Sequence, residues 1–395
     1  MGKYFLLFLA VLFLIAVFLR EEFVFTLIYL VLGTYILSRW WGQRAAGHVS
    51  VQRTAPARLF LGEQARVQVE IQNLGWLPLP WLQIHESLPP ELGAQPNLQQ
   101  VVSLPPRGKT EFSYWLNARR RGYYPVGPLS LYSGDLFGVV DQRRQDFEAD
   151  HLVIYPKIIP LSQLALPSQS PLGTLRHSQP IFEDPSRVIG KRDYVAGDSL
   201  RRIDWKTSAA SGRLQVKKFE PSIALDTELF LNLHIPDYDA RRRYDDSELA
   251  IVAAASLANW VISQRQSVGL ATNGDDPLGD GGLSLHIPPR GGRSHLMRLL
   301  EALARVEVGE ACPLAELIWR QRPYLPWGAT QIVITPSVTD EVFDALFQSR
   351  RVGLGSLIVL VGAAAGYQEI REKASYFGFP LVSIEKERDL DIWRR

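Results

Sequence analysis

Two short segments, Ile332-Val333-Ile334 and Leu357 to Val361, are apolar at every position. A strand buried on one face alternates apolar with polar, whereas one apolar throughout is buried on both faces. Such strands belong to parallel sheets, whose crossovers are helices that cover both sides. The surrounding pattern agrees. It predicts strands over Glu228–His234, Ser267–Thr272, Leu283–Ile287, Gln331–Thr335, Ser356–Val361 and Pro380–Ile384. Between them it predicts helices over Asp245–Gln264, Ser294–Val306, Asp340–Arg350 and Tyr367–Phe377. The first of these places Leu249, Val252, Ala253, Leu257, Trp260 and Val261 on one side. Alternation of this kind implies a doubly wound α/β domain, whose sites lie outside the carboxyl ends of the strands.

Residues 49–150 read differently. Arg66 to Ile71 and Trp81 to His85 alternate with period two, and Asn73-Leu74-Gly75 and Pro89-Pro90 end them. Thr110–Leu116 and Leu129–Tyr132 are further short strands, so this region is expected to be a β-sandwich. Trp76, Pro78, Pro80 and Trp81 make an apolar cluster in a loop, suited to resting on lipid headgroups or on the chain's own N-terminal segment. Residues 151–187, rich in Pro, Ser and Gln without a period, read as an extended linker, leaving 188–395 for the α/β domain.

The N-terminus carries two apolar runs, Tyr4–Leu19 and Phe23–Leu37, separated by Arg20, Glu21 and Glu22. A charged turn between two such runs suggests a transmembrane helical hairpin over residues 1–41, with membrane lipid as a partner and Trp40 and Trp41 at the interface. Lys3, Arg39, Arg44, Arg53 and Arg58 flank it, and the positive-inside rule would place both ends in the cytoplasm. That gives an inner-membrane protein with cytoplasmic domains, consistent with its single cysteine, Cys312.

Residues 190–220 are unusually dense in acids, bases and aromatics. Asp198 can cap a helix starting near Ser199, and on that helix Asp198 faces Arg202 while Arg201 faces Asp204. Trp205 can cover the second pair, which would make a structural lock against the α/β domain. Ser211-Gly212 breaks the helix, and Leu214, Val216 and Phe219 start a strand.

Gly190, Arg192, Tyr194, Gly197, Asp198, Arg201, Ile203, Asp204, Trp205, Ser208, Ala209, Val216, Phe219 and Glu220 form a pattern that resembles the signature of the domain-of-unknown-function 58 family. Arg121-Gly122-Tyr123 with Gly127-Pro128, and Asp135-Leu136-Phe137-Gly138, are similar to further elements of that family, and as residues they read as turn chemistry with packed aromatics. The resemblance implies a membrane-anchored protein with a β-domain and a von Willebrand factor A-like domain, often associated with a MoxR-type AAA+ ATPase. An A-like domain binds Mg²⁺ through D-x-S-x-S at the end of its first strand. Here the aligned positions hold Asn232, His234 and Pro236, which offer an amide for the carboxylate and no hydroxyl, so no metal or other cofactor is expected. Asp237, Asp239, Asp245 and Asp246 read as a solvated loop and an acidic helix start, and Asn273-Gly274-Asp275-Asp276 as a hairpin turn.

The chain has no G-x-S-x-G, HExxH or P-loop, and its net charge of +2 points to no polyanion partner. Around the motif, Arg192, Arg201, Arg202 and Lys206 are interleaved with acids, which argues against nucleic acid. Two functions stay open. One is a scaffold that binds a partner, a MoxR-type ATPase by resemblance, through Gly190, Arg192, Tyr194, Gly197, Asp198, Arg201, Arg202, Asp204, Trp205 and Lys206. The other is an enzyme with Asp198 and Asp204 as paired carboxylates beside a basic anion-binding patch.

Overall fold

The computed structural model describes residues 10–14, 22–93, 97–133, 143–161, 183–195, 203–221, 226–279, 284–364 and 366–394. They fall into two compact units, one of residues 1–157 with Leu300–Val306, the other of 158–299 and 307–395.

In the first unit helix α1, Glu22–Ala46, leads into ten strands: β1 Val49–Thr54, β2 Arg58–Phe60, β3 Gln64–Asn73, β4 Leu79–Ser87, β5 Asn97–Leu104, β6 Lys109–Asn117, β7 Gly122–Val126, β8 Leu129–Ser133, β9 Arg143–Phe147 and β10 Asp150–Tyr155. They form sheets of order β1-β3-β6, β2-β10-β7 and β5-β4-β8-β9. Inward positions of all three sheets, among them Val69, Leu59 and Ile84, share one core. Alternation along β3 accounts for this, since Val67, Val69 and Ile71 point in while Gln68 and Glu70 do not.

A transmembrane hairpin is not what the N-terminal runs form. Among the described residues no helix is long and apolar enough to cross a membrane. Of the first run only residues 10–14 are described, as helix. The second continues past Leu37 through Ser38, Arg39, Gln43 and Arg44. Its end rests on protein: Trp41 Nε1 donates to the Pro78 carbonyl at 3.1 Å, and the Trp40 ring meets Trp76 edge-on at 6.3 Å. The Trp76–Trp81 cluster thus packs on this helix end. The orientation read from flanking basic residues depended on the hairpin, and two of those residues are engaged in the fold. Arg53 is buried against Glu86 at 2.8 Å and Asp150 at 3.0 Å, and Arg58 pairs with Glu301 at 3.5 Å.

In the same unit the Arg121 turn does more than pack. Arg121 Nη1 donates to the carbonyls of Leu303, Ala304 and Val306 at 2.9, 3.2 and 2.8 Å, satisfying acceptors that a helix end leaves open. Asp135-Leu136-Phe137-Gly138 lies outside the described residues.

The second unit begins with β11 Glu183–Asp193, helix α2 Trp205–Ser211 and β12 Gln215–Pro221, the two strands pairing antiparallel. A six-stranded sheet follows: β13 Thr227–Leu231, β14 Val268–Thr272, β15 Leu285–Arg290, β16 Thr330–Thr335, β17 Gly355–Val361 and β18 Leu381–Ile384. Its order is β15-β14-β13-β16-β17-β18, parallel except for β15. The helices are α3 Arg243–Ser263, α4 Arg293–Arg305 (counted with the first unit from Leu300 on), α5 Leu314–Gln321, α6 Asp340–Arg351 and α7 Tyr367–Phe377. Phe230, Val333 and Ile358 of the sheet form one core with Leu317 of α5, Phe343 and Leu346 of α6 and Ala374 of α7. Helix α3 packs against β13, β14, β16 and β17. It is buried on nearly every side rather than on one, because Ala250, Ala253, Ala254, Ala255 and Ala258 let neighbours approach closely.

Candidate functional site

The dense motif folds as a small unit of β11, α2 and β12. Pairing continues beyond the strands: Ile203 bridges Val216, Tyr194 N donates to Leu214 O, and Asp204 N donates to Gln215 O at 2.8 Å. Ile203 and Asp204 are thus held against β12, and helix α2 follows from Trp205; the expected helix start near Ser199 lies outside the described residues. Asp204 is its N-cap, its carboxylate accepting from Thr207 N at 3.1 Å. Ser208 Oγ donates to Asp204 O and accepts from Gln215 N, both at 2.8 Å, which ties the helix to β12. Gly212, at φ +65°, closes the helix in the left-handed conformation that glycine adopts without strain.

The partner of Asp204 is Lys191 of β11, at 3.0 Å. Lys191 also bonds the Thr207 hydroxyl, and together these contacts hold the Asp204 carboxyl below the usual carboxylate range. Trp205, the first residue of α2, is largely open to solvent. It is 66 % exposed, and Lys191, Arg192, Val195, Lys206, Arg213 and Leu214 are exposed with it. Arg192 reaches back to the Asp193 carbonyl at 3.2 Å. Of Gly190 the backbone is described, in β11 opposite Lys218, and Tyr194 is half-buried. Gly197, Asp198, Arg201 and Arg202 lie outside the described residues, so the expected Arg201–Asp204 and Asp198–Arg202 pairs do too.

A second cluster lies where the strand order reverses, between β13 and β16, at their carboxyl ends. Asn232, just past β13, is fully buried. Its Nδ2 donates to Asp237 Oδ2 at 2.8 Å and to Thr335 Oγ1 at 3.0 Å, while its Oδ1 accepts from His234 N and from Asn273 Nδ2. Asn273 Oδ1 accepts from Leu233 N, its Nδ2 also donates to Cys312 O at 2.8 Å, and Tyr238 Oη donates to Asn232 O at 2.6 Å. His234 lies 3.5 Å from Asp237, and Pro236 sits in the turn over Ile235–Asp237. The amide that stands in the expected ligand position therefore aims N–H groups, not an oxygen, at Asp237 and Thr335. Asn273 and Thr335 were missed as members. Asn273 looks like the start of a hairpin turn, and its pairing with Asn232 spans 41 positions.

A third feature, also missed, is polar and central. Glu228 of β13 is fully buried, in register with Gly269 of β14 and Gln331 of β16. Its Oε1 is 3.4 Å from His286 Nε2 on β15, and burial pushes its pKa up against the opposing pull of that histidine. The signal was an acid directly before the apolar run Leu229–Leu231.

The chain is similar to known proteins over parts of its length. It is 24 % identical to "Uncharacterized protein YeaD" of Bacillus subtilis (strain 168) over 294 residues, 72 % of this chain and 69 % of that protein. An aerotolerance-related membrane protein from Bacteroides fragilis superposes with TM-score 0.31 at 11 % identity, covering 43 % of this chain and 95 % of that one. The CARDB domain of the PF1109 protein from Pyrococcus furiosus gives TM-score 0.21 at 16 % identity, over 27 % of this chain and 86 % of that one. At such overlaps neither structure informs the fold or role of this chain. Residues 190–324, which hold Lys191, Asp204, Trp205 and the buried amides alike, match the model of the protein family of unknown function DUF58.

Proposed function

We propose that this chain is an interaction scaffold, and that the β11–α2–β12 motif is the surface it offers. The exposure of Trp205, on a helix whose cap and ends are fixed, carries this reading. A rigid, exposed Trp among cations is the composition of interface hot spots, and holding it in place beforehand lowers the cost of binding. The partner we propose is a MoxR-type AAA+ ATPase in chaperone-like assembly or envelope processes, as the family resemblance implies. The strand order of the six-stranded sheet supports a von Willebrand factor A-like second unit, with Asn232, His234 and Pro236 at its degenerate metal position.

The enzyme reading finds less support. A carboxylate that caps a helix and pairs with Lys191 is held ionised, and its oxygens are occupied. It is poorly placed to exchange a proton near neutral pH. The test is a pull-down of the full chain from native cells with and without ATP, read by mass spectrometry. Nucleotide-dependent recovery of an AAA+ ATPase is the expected result, and its repeated absence would count against the proposed partner.

A further inference from the structure

A different surface of the second unit is built for contact. Trp319, Arg320, Gln321, Arg322, Pro323, Tyr324, Leu325, Pro326 and Trp327 run from the end of α5 toward β16, with three aromatics, two arginines and no acid. Tyr324 is 76 % exposed and Trp327 59 %. They are not loose. Arg322 lies 4.5 Å over the Trp319 ring, and the chain turns tightly over Arg322–Tyr324. Trp327 covers Gly353 so closely that a Cβ there would run into the indole, and Gly328 N donates to Gly353 O at 3.1 Å. Exposed Val352 and Arg351 are the adjoining residues. The patch therefore extends along the amino-terminal edge of β16 and β17, the end of the sheet opposite Asn232.

Charge around it is mainly positive, with Asp226, just before β13, the acid on the same sheet edge. Glu316 is taken by Arg320, and the acids of α6 lie toward its start, at Asp340, Glu341 and Asp344, while Arg350 and Arg351 end it at the patch. Trp, Tyr and Arg together are the residues over-represented in protein interface hot spots. An anionic membrane surface or a nucleic-acid backbone would call for a longer run of cations.

We infer that the Trp319–Trp327 edge docks an acidic segment of a partner protein, with apolar side chains packing on Tyr324 and Trp327 and a carboxylate meeting Arg322. This surface goes beyond the Lys191–Trp205 reading and does not depend on it, since each can be removed without the other.

The experiment places p-benzoylphenylalanine at position 324 of the full chain in its native cells and sequences the peptides that photocross-link. The expected result is one recurrent acidic peptide from another protein. Its yield should fall about tenfold with Arg322→Glu and recover when the facing acid is changed to Arg, as a direct charge contact requires. Tyr324→Ala, at a site too exposed to matter for folding, should weaken capture of the same protein from wild-type lysate. Cross-links to lipid, to nucleic acid or to a second copy of this chain would overturn the inference. So would no recurrent adduct, or a yield unaffected by Arg322→Glu at an unchanged unfolding midpoint.

Discussion

Lys191 Nζ sits 3.0 Å from Asp204 Oδ2, so the acid that caps α2 is held from the neighbouring strand β11. One carboxylate thereby joins strand, helix start and, through Ser208 and Gln215, the second strand β12. The exposed Trp205 is the next residue along.

Asp204→Ala should free the start of α2. Amide exchange at Thr207 and Ser208 should quicken at least several-fold, while the global urea midpoint stays nearly constant, because a terminal cap opens locally. The pH dependence follows from the depressed carboxyl. Its contribution is complete above the ordinary aspartate value of 3.8 and is lost as pH falls through the lower folded value. Unchanged exchange in the variant at pH 7 would show that the cap holds nothing.

Glu86→Ala should destabilise the first unit by up to roughly 3–5 kcal/mol, since it removes the fully buried partner of Arg53 and leaves only the half-exposed Asp150 to neutralise it. Burial pushes the Glu86 carboxyl up against the opposing pull of the Arg53 charge 2.8 Å away. Asp150→Ala removes a more exposed partner of the same arginine and should cost less. Urea titration of both variants measures the difference, and equal losses would contradict this ranking.

Glu228→Gln should stabilise the second unit above neutral pH, by on the order of 1–3 kcal/mol, the cost of a buried polar group without a partner. A carboxyl raised by burial contributes stability that is complete below its ordinary value of 4.5 and is lost as pH rises through the folded value. The variant and wild type should therefore converge at acid pH and part as pH rises. Melting curves from pH 4 to 9 check this, and a variant less stable at pH 8 would mean that His286 holds Glu228 ionised.

Millimolar Mg²⁺ should leave the melting temperature of the full chain unchanged, because Asn232 presents N–H groups toward Asp237 and Thr335. Any ligand above its dissociation constant stabilises the state it binds, so a saturable rise abolished by Asp237→Asn would refute this.

What could be read in advance follows the range of each interaction. Strands β16 and β17 are legible because Ile332-Val333-Ile334 and Leu357–Val361 admit no amphipathic alternative. Strand β3 is legible from its period of two. The N-terminal hairpin was misread because hydropathy weighs a run without its continuation; the helix goes on through Arg39 and Arg44 and ends against Pro78. The cap at Asp204 was not legible, because Asp198 suits a cap equally and Asp204 is fixed by the Ile203–Val216 bridge across the hairpin. Lys191, Asn273 and His286 each act on residues distant in sequence, so no local spacing could have paired them.

The scaffold reading is tested most directly by measuring how much of the proposed ATPase partner full-length Trp205→Ala recovers relative to wild type, with the urea midpoints of both chains determined alongside. An exposed side chain leaves the fold intact when truncated, whereas a hot spot loses about 2 kcal/mol or more of binding. The account predicts equal midpoints and recovery reduced at least about tenfold. Full recovery by Trp205→Ala at an unchanged midpoint would contradict it.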